Sequence, residues 1–260
     1  MEHEERVTFE SDDWVGHVGI LSMPSEHAPV VIISHGLGSS KDSAVAHGLQ
    51  YALHAHGIGS FRIDLFGHGE SQGQFVELTL TRAIKSIEAA QRWLHKRHPH
   101  SAFGLCGSSF GGSASYFALK TLQPLAVALI APNLFAKERK DKQLGASRLK
   151  KWKQQGWTTY TTYAGEERKL GWDYYLDLSN YDADKLTTKA RLAFFHGNKD
   201  AIVPLAVSQK AAKRLKATLT VYKGVGHNFE TGESKDALIG DVARFFIDAF
   251  SLDDQHARRQ

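Results

Sequence analysis

The chain has 260 residues, 42% apolar and 23% charged, the composition of an ordinary soluble globule. A chain this long buries on the order of 70–75% of the surface its unfolded form exposes, which fits one α/β domain with an insertion better than two separate domains. A formal charge of +4 and a pI near 9.0 raise a nucleic-acid partner, but the bases cluster only modestly at Lys137–Lys153 and no nucleic-acid-binding motif accompanies them, so a solvated basic face is expected.

Cys106 is the single cysteine, which excludes an intramolecular disulfide and suits a reducing compartment. Met1–Glu5 is charged and lacks the apolar core of a signal peptide. No stretch approaches the ~18–20 consecutive apolar residues of a membrane span. The expectation is a cytoplasmic protein with no membrane insertion, monomeric or homodimeric.

In chain order, Val7–Glu10 and Trp14–Met23 read as an antiparallel strand pair. Pro29–Ile33 is a continuous β-branched run ending in the glycine turn His35-Gly36-Leu37-Gly38, as a central parallel strand requires. Helical spacing over Ala44–His56 precedes a strand at Ser60–Asp64, and a longer helix at Thr81–His98 precedes one at Ser101–Cys106. A helix-forming stretch, Ser113–Leu122, leads to a strand at Ala126–Ala131. The alternation then stops for a polar, aromatic stretch. It resumes with a strand at Arg191–Phe195, a helix near Leu205–Leu215, a strand at Leu219–Tyr222 and an amphipathic helix over Lys235–Phe250. Residues after Ser251 read as a frayed polar tail. Alternating strands and helices specify a mostly parallel sheet, here of eight strands, flanked by helices. Residues 1–132 and 190–260 form the expected core domain, and 133–189 a cap inserted above the carboxyl edge of the sheet.

Between the apolar run Ala102–Cys106 and the helical stretch lies Gly107-Ser108-Ser109-Phe110-Gly111. A strand, a Gly-x-Ser-x-Gly turn and a helix make a nucleophile elbow. The turn pushes the serine hydroxyl outward, and the helix N-terminus offers backbone N–H groups to a developing negative charge. Ser109 is the candidate nucleophile. A second match, Gly69-Glu70-Ser71-Gln72-Gly73, follows a polar loop rather than a buried strand, and Ser71 reads as a loop residue.

A serine hydroxyl needs a base within reach and a carboxylate to orient that base. Such groups gather at the carboxyl ends of parallel strands. The loop after Arg191–Phe195 carries Asp200, and the loop after Leu219–Tyr222 carries His227. Each residue alone has a duller reading, Asp200 as a turn residue and His227 as one of 14 histidines. Together, Ser109, Asp200 and His227 stand in the chain order of elbow hydrolases. Two amides are expected to receive an oxyanion, those of Phe110 after the nucleophile and Leu37 after the first parallel strand. His35 then braces its loop, and His196 is read as structural.

These residues resemble the α/β-hydrolase superfamily, over nearly the whole chain. His35–Lys41, Asp64-Leu65-Phe66-Gly67-His68-Gly69-Glu70-Ser71, the elbow, Asp200 and Gly226-His227 stand where that family carries such motifs. The first two are similar to small bacterial carboxylesterases of the cinnamoyl or feruloyl type, with monoacylglycerol lipases and serine aminopeptidase-like hydrolases as relatives. The resemblance implies that Asp64 and His68 brace the loop beside the active site. Where the esterases commonly have His and Gln in the elbow, this chain has Ser108 and Phe110.

Trp152, Trp157, Tyr160, Tyr163, Trp172, Tyr174 and Tyr175 crowd the insertion, either as an acyl or aryl pocket or as the insertion's own core. Trp157 and Trp172 are the candidate substrate-binding residues. The basic run Arg139–Lys153 reads as a solvated helix face rather than an attractant for anionic substrates. The expected function is a serine carboxylester hydrolase acting on small to medium acyl or aryl esters through an acyl-enzyme, with no cofactor or metal. Cleavage of amide or carbon–carbon bonds by the same triad, and a non-catalytic hydrolase-fold binding protein, remain open.

Overall fold

The computed structural model describes residues 4–257, and side-chain surroundings as far as Ser251. β1 (Glu4–Glu10) and β2 (Gly16–Ser22) form the expected antiparallel pair. β3 (Val30–Ser34), α1 (Ala44–His54), β4 (Gly59–Ile63), α2 (Leu80–Arg97), β5 (Phe103–Ser108), α3 (Ser109–Ala118) and β6 (Ala126–Ile130) follow. After β6 the chain leaves the sheet through α4 (Ala136–Gln155), the hairpin β7 (Trp157–Thr161) and β8 (Glu167–Gly171), and α5 (Trp172–Asp177). It returns as β9 (Arg191–Gly197), α6 (Ala206–Leu215), β10 (Thr218–Tyr222) and α7 (Gly232–Ala257). The eight strands of the sheet run β1-β2-β4-β3-β5-β6-β9-β10, parallel from β4 to β10. β6 and β9 are direct neighbours, so everything between them is an excursion from one sheet edge.

Strand periodicity divides the core between the two faces. Val30 and Ile32 of β3 join Leu105, Val127, Leu129 and Phe194 beneath α2, α3 and α6. Val31 and Ile33 join Cys106, Ala128, Ile130 and Phe195 beneath α1 and α7. The central strands are therefore buried on both faces along most of their length, which is why Val30–Ile33 and Ala126–Ile130 read as continuous apolar runs. The helices start where their sequences cap them: Ser43 accepts from the Ala46 amide at 3.3 Å, and Thr79 from the Arg82 amide at 3.1 Å. His95, Lys96 and Arg97 in the last turn of α2 complement its dipole.

Two expected boundaries differ. α3 starts at Ser109 rather than Ser113, because the strand passes into the helix with no loop and Gly111 and Gly112 belong to the first turn. α7 runs through the expected tail to Ala257, since no Gly or Pro after Ser251 stops it. The last three residues of the expected tail, 258–260, lie outside the described residues.

β4 buries a charge. Arg62 is 1% exposed, with Nε donating to Gln50 Oε1 at 2.7 Å and Nη1 to the Lys41 carbonyl at 2.8 Å and Asp42 Oδ1 at 3.2 Å. Gln50 is itself fully buried. Removing the guanidinium leaves the buried Gln50 Oε1 and Lys41 carbonyl without their donor, while the exposed Asp42 turns to water, so Arg62→Ala should cost about 3 kcal/mol, read as a lower urea midpoint with little change in slope.

Candidate active site

The site forms where β3, β4, β5, β9 and β10 end. At the end of β5 the chain turns into α3 on a single strained residue: Ser109 has φ +50°, in the left-handed region. Such a conformation costs a non-glycine residue about 1–2 kcal/mol and persists only where surroundings impose it. They do so here through glycine. A Cβ at Gly111 would collide with the carbonyls of Ser34 and His35, and one at Gly112 would sit 2.9 Å from the Gly107 carbonyl. The helix can press against the ends of β3 and β5 only because both side chains are absent.

Ser109 Oγ lies 2.9 Å from His227 Nε2, and His227 Nδ1 lies 2.6 Å from Asp200 Oδ2. A carboxylate only accepts, so Nδ1–H donates to Asp200 and Nε2 is left to accept the serine proton. The Asp200 side chain is fully buried, and Oδ1 accepts from the amides of Ile202 at 2.8 Å and Val203 at 2.7 Å. Burial opposes its ionisation, but hydrogen bonds from His196 and His227 outweigh it and hold the carboxyl well below the usual range.

His196 is the partner that sequence reasoning left outside the site. It is fully buried, its Nδ1 2.7 Å from Ser208 Oγ and its Nε2 2.9 Å from the Val203 carbonyl and 3.0 Å from Asp200 Oδ2. The His-Gly-x-x-Asp spacing is its only sequence signal.

Opposite the serine, a Cβ at Gly36 would stand 3.6 Å from Ser109 Cβ, so the loop after β3 passes directly over the nucleophile. Among the described residues, neither the Leu37 nor the Phe110 amide has a hydrogen-bond partner. Two buried histidines pin this loop. His35 Nε2 accepts from the Leu65 amide at 3.1 Å while Nδ1 lies 2.8 Å from the Gly36 carbonyl. His68 Nε2 accepts from the Gly38 amide at 3.1 Å while Nδ1 lies 2.8 Å from the Phe66 carbonyl. Asp64 accepts from the Lys41 amide at 2.7 Å, the Glu70 amide at 2.9 Å and Lys41 Nζ at 3.1 Å. Ser71 is buried and tied to Val18 and Asp64 backbone, a structural residue as expected.

Of the insertion's aromatics, the two singled out by sequence are not those that reach this loop. Trp172 stacks on Tyr175 at 4.5 Å and meets Trp152 edge-on at 5.6 Å, and Lys169 Nζ lies 4.4 Å from the Trp157 ring. No hydrogen bond or ring contact joins either tryptophan to Ser109, His227, Leu37 or Phe110 among the described residues. Tyr160 and Tyr174 do reach the site: Tyr160 OH donates to the Leu37 carbonyl at 2.9 Å, and the Tyr174 ring lies 5.8 Å from Phe110. Cys106 is buried beneath the elbow, its thiol pushed up to about 12 by burial, an inert core side chain.

This geometry coincides with a match to the family described as serine aminopeptidase, S33, over residues 25–192, more than half of the chain. The chain belongs to that family of α/β hydrolases. Solved structures similar to it include a hydrolase from Agrobacterium vitis S4, at TM-score 0.83 and 19% identity over 94% of this chain and 99% of the other. Est1E from Butyrivibrio proteoclasticus with bound ferulic acid is similar at 0.81 and 21%, over 94% and 99%. The α/β hydrolase domain-containing protein 10 from mouse is similar at 0.76 and 17%, over 98% and 100%. At these identities the likeness is one of fold. No curated protein sequence matches the chain. Among the described residues, no helix is long and apolar enough to cross a membrane.

Burial lowers His35 to about 4 and His68 to about 3, so both stay neutral in the folded protein while the unfolded chain titrates near the ordinary value of 6.5. A folded pKa below the unfolded one means that, as pH falls under ~6.5, the unfolded state takes up protons the folded state refuses, and stability drops until the folded values are reached. At pH 5 each histidine should cost about 2 kcal/mol. His68→Gln should therefore lose less stability than the wild type between pH 7 and pH 5 in paired urea titrations. An identical loss in both proteins contradicts the assignment.

Proposed function

We propose that the protein is a serine carboxylester hydrolase working through an acyl-enzyme on small to medium acyl or aryl esters. The observation that carries this reading is the continuous hydrogen-bonded path from Ser109 through His227 to a buried, doubly braced Asp200, facing two unpartnered amides. Ser109 Oγ attacks the ester carbonyl as His227 Nε2 takes its proton. The carbonyl oxygen gains negative charge and is held by the Leu37 and Phe110 amides. His227 then gives the proton to the departing alcohol, and the acyl group remains on Ser109. Water, deprotonated by the same imidazole, releases the acid. Asp200 keeps Nδ1 protonated and offsets the imidazolium charge. No step draws on a metal or organic cofactor.

Residues 133–189 act as a cap in this reading. Tyr160 and Tyr174 bound the acyl side, and Trp157 and Trp172 stiffen the cap around them. That Est1E holds ferulic acid supports an aryl acyl group. Membership of a serine aminopeptidase family makes amide cleavage the competing chemistry, since the same groups would serve it.

A fluorophosphonate probe should label the wild type and fail on Ser109→Ala. Turnover of a p-nitrophenyl ester should fall about 10⁴-fold or more in Ser109→Ala and His227→Ala, and somewhat less in Asp200→Asn. Ser71→Ala, which removes only a buried tie, should keep most of it. An aminoacyl anilide cleaved faster than every ester in a graded panel would favour the amide reading, and a wild type that neither labels nor turns over either class would leave only a binding protein.

A further inference from the structure

Two of the four basic residues in the first half of α4 behave as a solvated face: Lys137 pairs with Asp141 at 3.1 Å and Lys142 with Glu138 at 2.7 Å. Arg139 and Lys140 between them do not. Neither has a carboxylate within ion-pair distance among the described residues. Lys140 turns inward, with Nζ 5.6 Å from the Trp152 ring and 5.4 Å from the Tyr174 ring, both rings 2% exposed. Tyr174 is the residue that packs on Phe110. Burial first, and the nearby Arg139 charge second, push the Lys140 ammonium down to about 8. Arg139 donates to Asn133 Oδ1 and to the Ile202 carbonyl. The Asn133 amide in turn donates to the Ser109 carbonyl at 3.4 Å, and the Ile202 amide to Asp200 at 2.8 Å. Arg139 is thus fixed between the segments that carry the serine and the carboxylate.

A part-buried ammonium with no carboxylate in contact, beside a part-buried guanidinium whose opposing charge is the more distant Asp200, is costly, and the cost is recovered when an anion arrives. We propose that Arg139 and Lys140 form an anion subsite beside the candidate serine, which selects esters bearing a carboxylate on the group that α4 covers. The ammonium on its aromatic wall and the unused guanidinium N–H groups supply adjacent charged donors, and a carboxylate accepts from both. This inference rests on the ester-hydrolase reading and narrows its substrate class.

Matched ester pairs test it, one with the charge on the acyl side and one with it on the alcohol side. The p-nitrophenyl monoester of adipic acid is compared with p-nitrophenyl hexanoate, and 4-carboxyphenyl butyrate with 4-carbamoylphenyl butyrate. In one pair, the wild-type ratio of kcat/KM for the anionic over the neutral ester should exceed that of Lys140→Met by about 10-fold or more, the worth of one charge-assisted hydrogen bond. Arg139→Gln should reduce the same ratio. Lys140→Gln is the second variant if Met is not tolerated, and melting temperatures show that the proteins compared are folded. A purely structural lysine would slow both members of a pair together and leave their ratio where it was. Turnover of neutral esters with ratios that do not move in either pair overturns the anion subsite alone. Absence of turnover for all four esters overturns the ester-hydrolase reading, and this inference with it.

Discussion

The junction at Ser109 is the constraint on which the rest of the site depends. A strand and a helix meet there with no intervening loop, and the one residue between them sits in the left-handed region at φ +50°. Backbone must therefore pack on backbone, and the glycines at 107, 111 and 112 allow it. Ser34, paired with Gly107 in the sheet, closes the arrangement: its hydroxyl donates within 3.1 Å of the Gly111 carbonyl and lies 2.9 Å from Ser115 Oγ. Ser34 is also the last residue of β3, immediately before the loop over the serine. The contacts that hold the strained serine therefore also fix the start of the loop that supplies the Leu37 amide. Nucleophile and amide are placed by one set of close approaches, and neither can drift without the other.

The carboxyl edge of the sheet is polar yet largely dry, which demands full partnering. Asp200 satisfies it with two amides and two histidines, and Asp64 with two amides and an ammonium. His35 and His68 meet the same demand by remaining uncharged, since an imidazolium could not accept from the Leu65 or Gly38 amide. Each of these side chains ties a loop's backbone to the end of a strand. The loops are thus bonded as firmly as the elements they join, which is the preorganisation that the proposed oxyanion role of the Leu37 and Phe110 amides would require.

How much of this was legible depended on whether the signal was local. The central strands are covered on both faces, so the apolar stretches Val30–Ile33, Phe103–Cys106, Ala126–Ile130 and Leu192–Phe195 stood out as runs. The candidates Ser109 and Asp200 were readable because each follows such a run, and His227 because it follows the last strand of the alternation, Thr218–Tyr222. The α3 start was misplaced because the Gly-x-Ser-x-Gly pentapeptide reads as a turn before the helix, whereas its last three residues form the first turn of the helix itself. The hairpin of β7 and β8 was hidden, since Trp157–Thr161 alternates only weakly between half-buried and exposed positions. Arg139 and Lys140 could not be told from Lys137 and Lys142 within one basic run. Only the fold of the first half of α4 against Tyr174, the Ile202 turn and Trp152 of its own second half separates the inward pair from the solvated one. Trp157 and Trp172 drew attention by size, whereas a phenol hydroxyl could reach the Leu37 carbonyl and an indole on the far side of the hairpin could not.

The insertion and the loop over the serine are not independent parts. Gly38 has φ +74°, and a Cβ there would lie 2.8 Å from Thr162 Cγ2 and 2.9 Å from the Tyr160 ring, so the hairpin rests on bare backbone. Tyr160 stacks on Phe75 at 5.8 Å, Phe75 meets His68 edge-on at 5.1 Å, and His68 holds the Gly38 amide. Tyr160 also donates to the Leu37 carbonyl, whose peptide plane carries the Gly38 amide that His68 accepts from. A group bound against the insertion would therefore press on the same loop that carries the Leu37 amide. In the proposed reading, binding energy gained far from the reacting carbonyl would then be expressed in turnover as well as in affinity, because Tyr160 and Gly38 join the insertion to that loop.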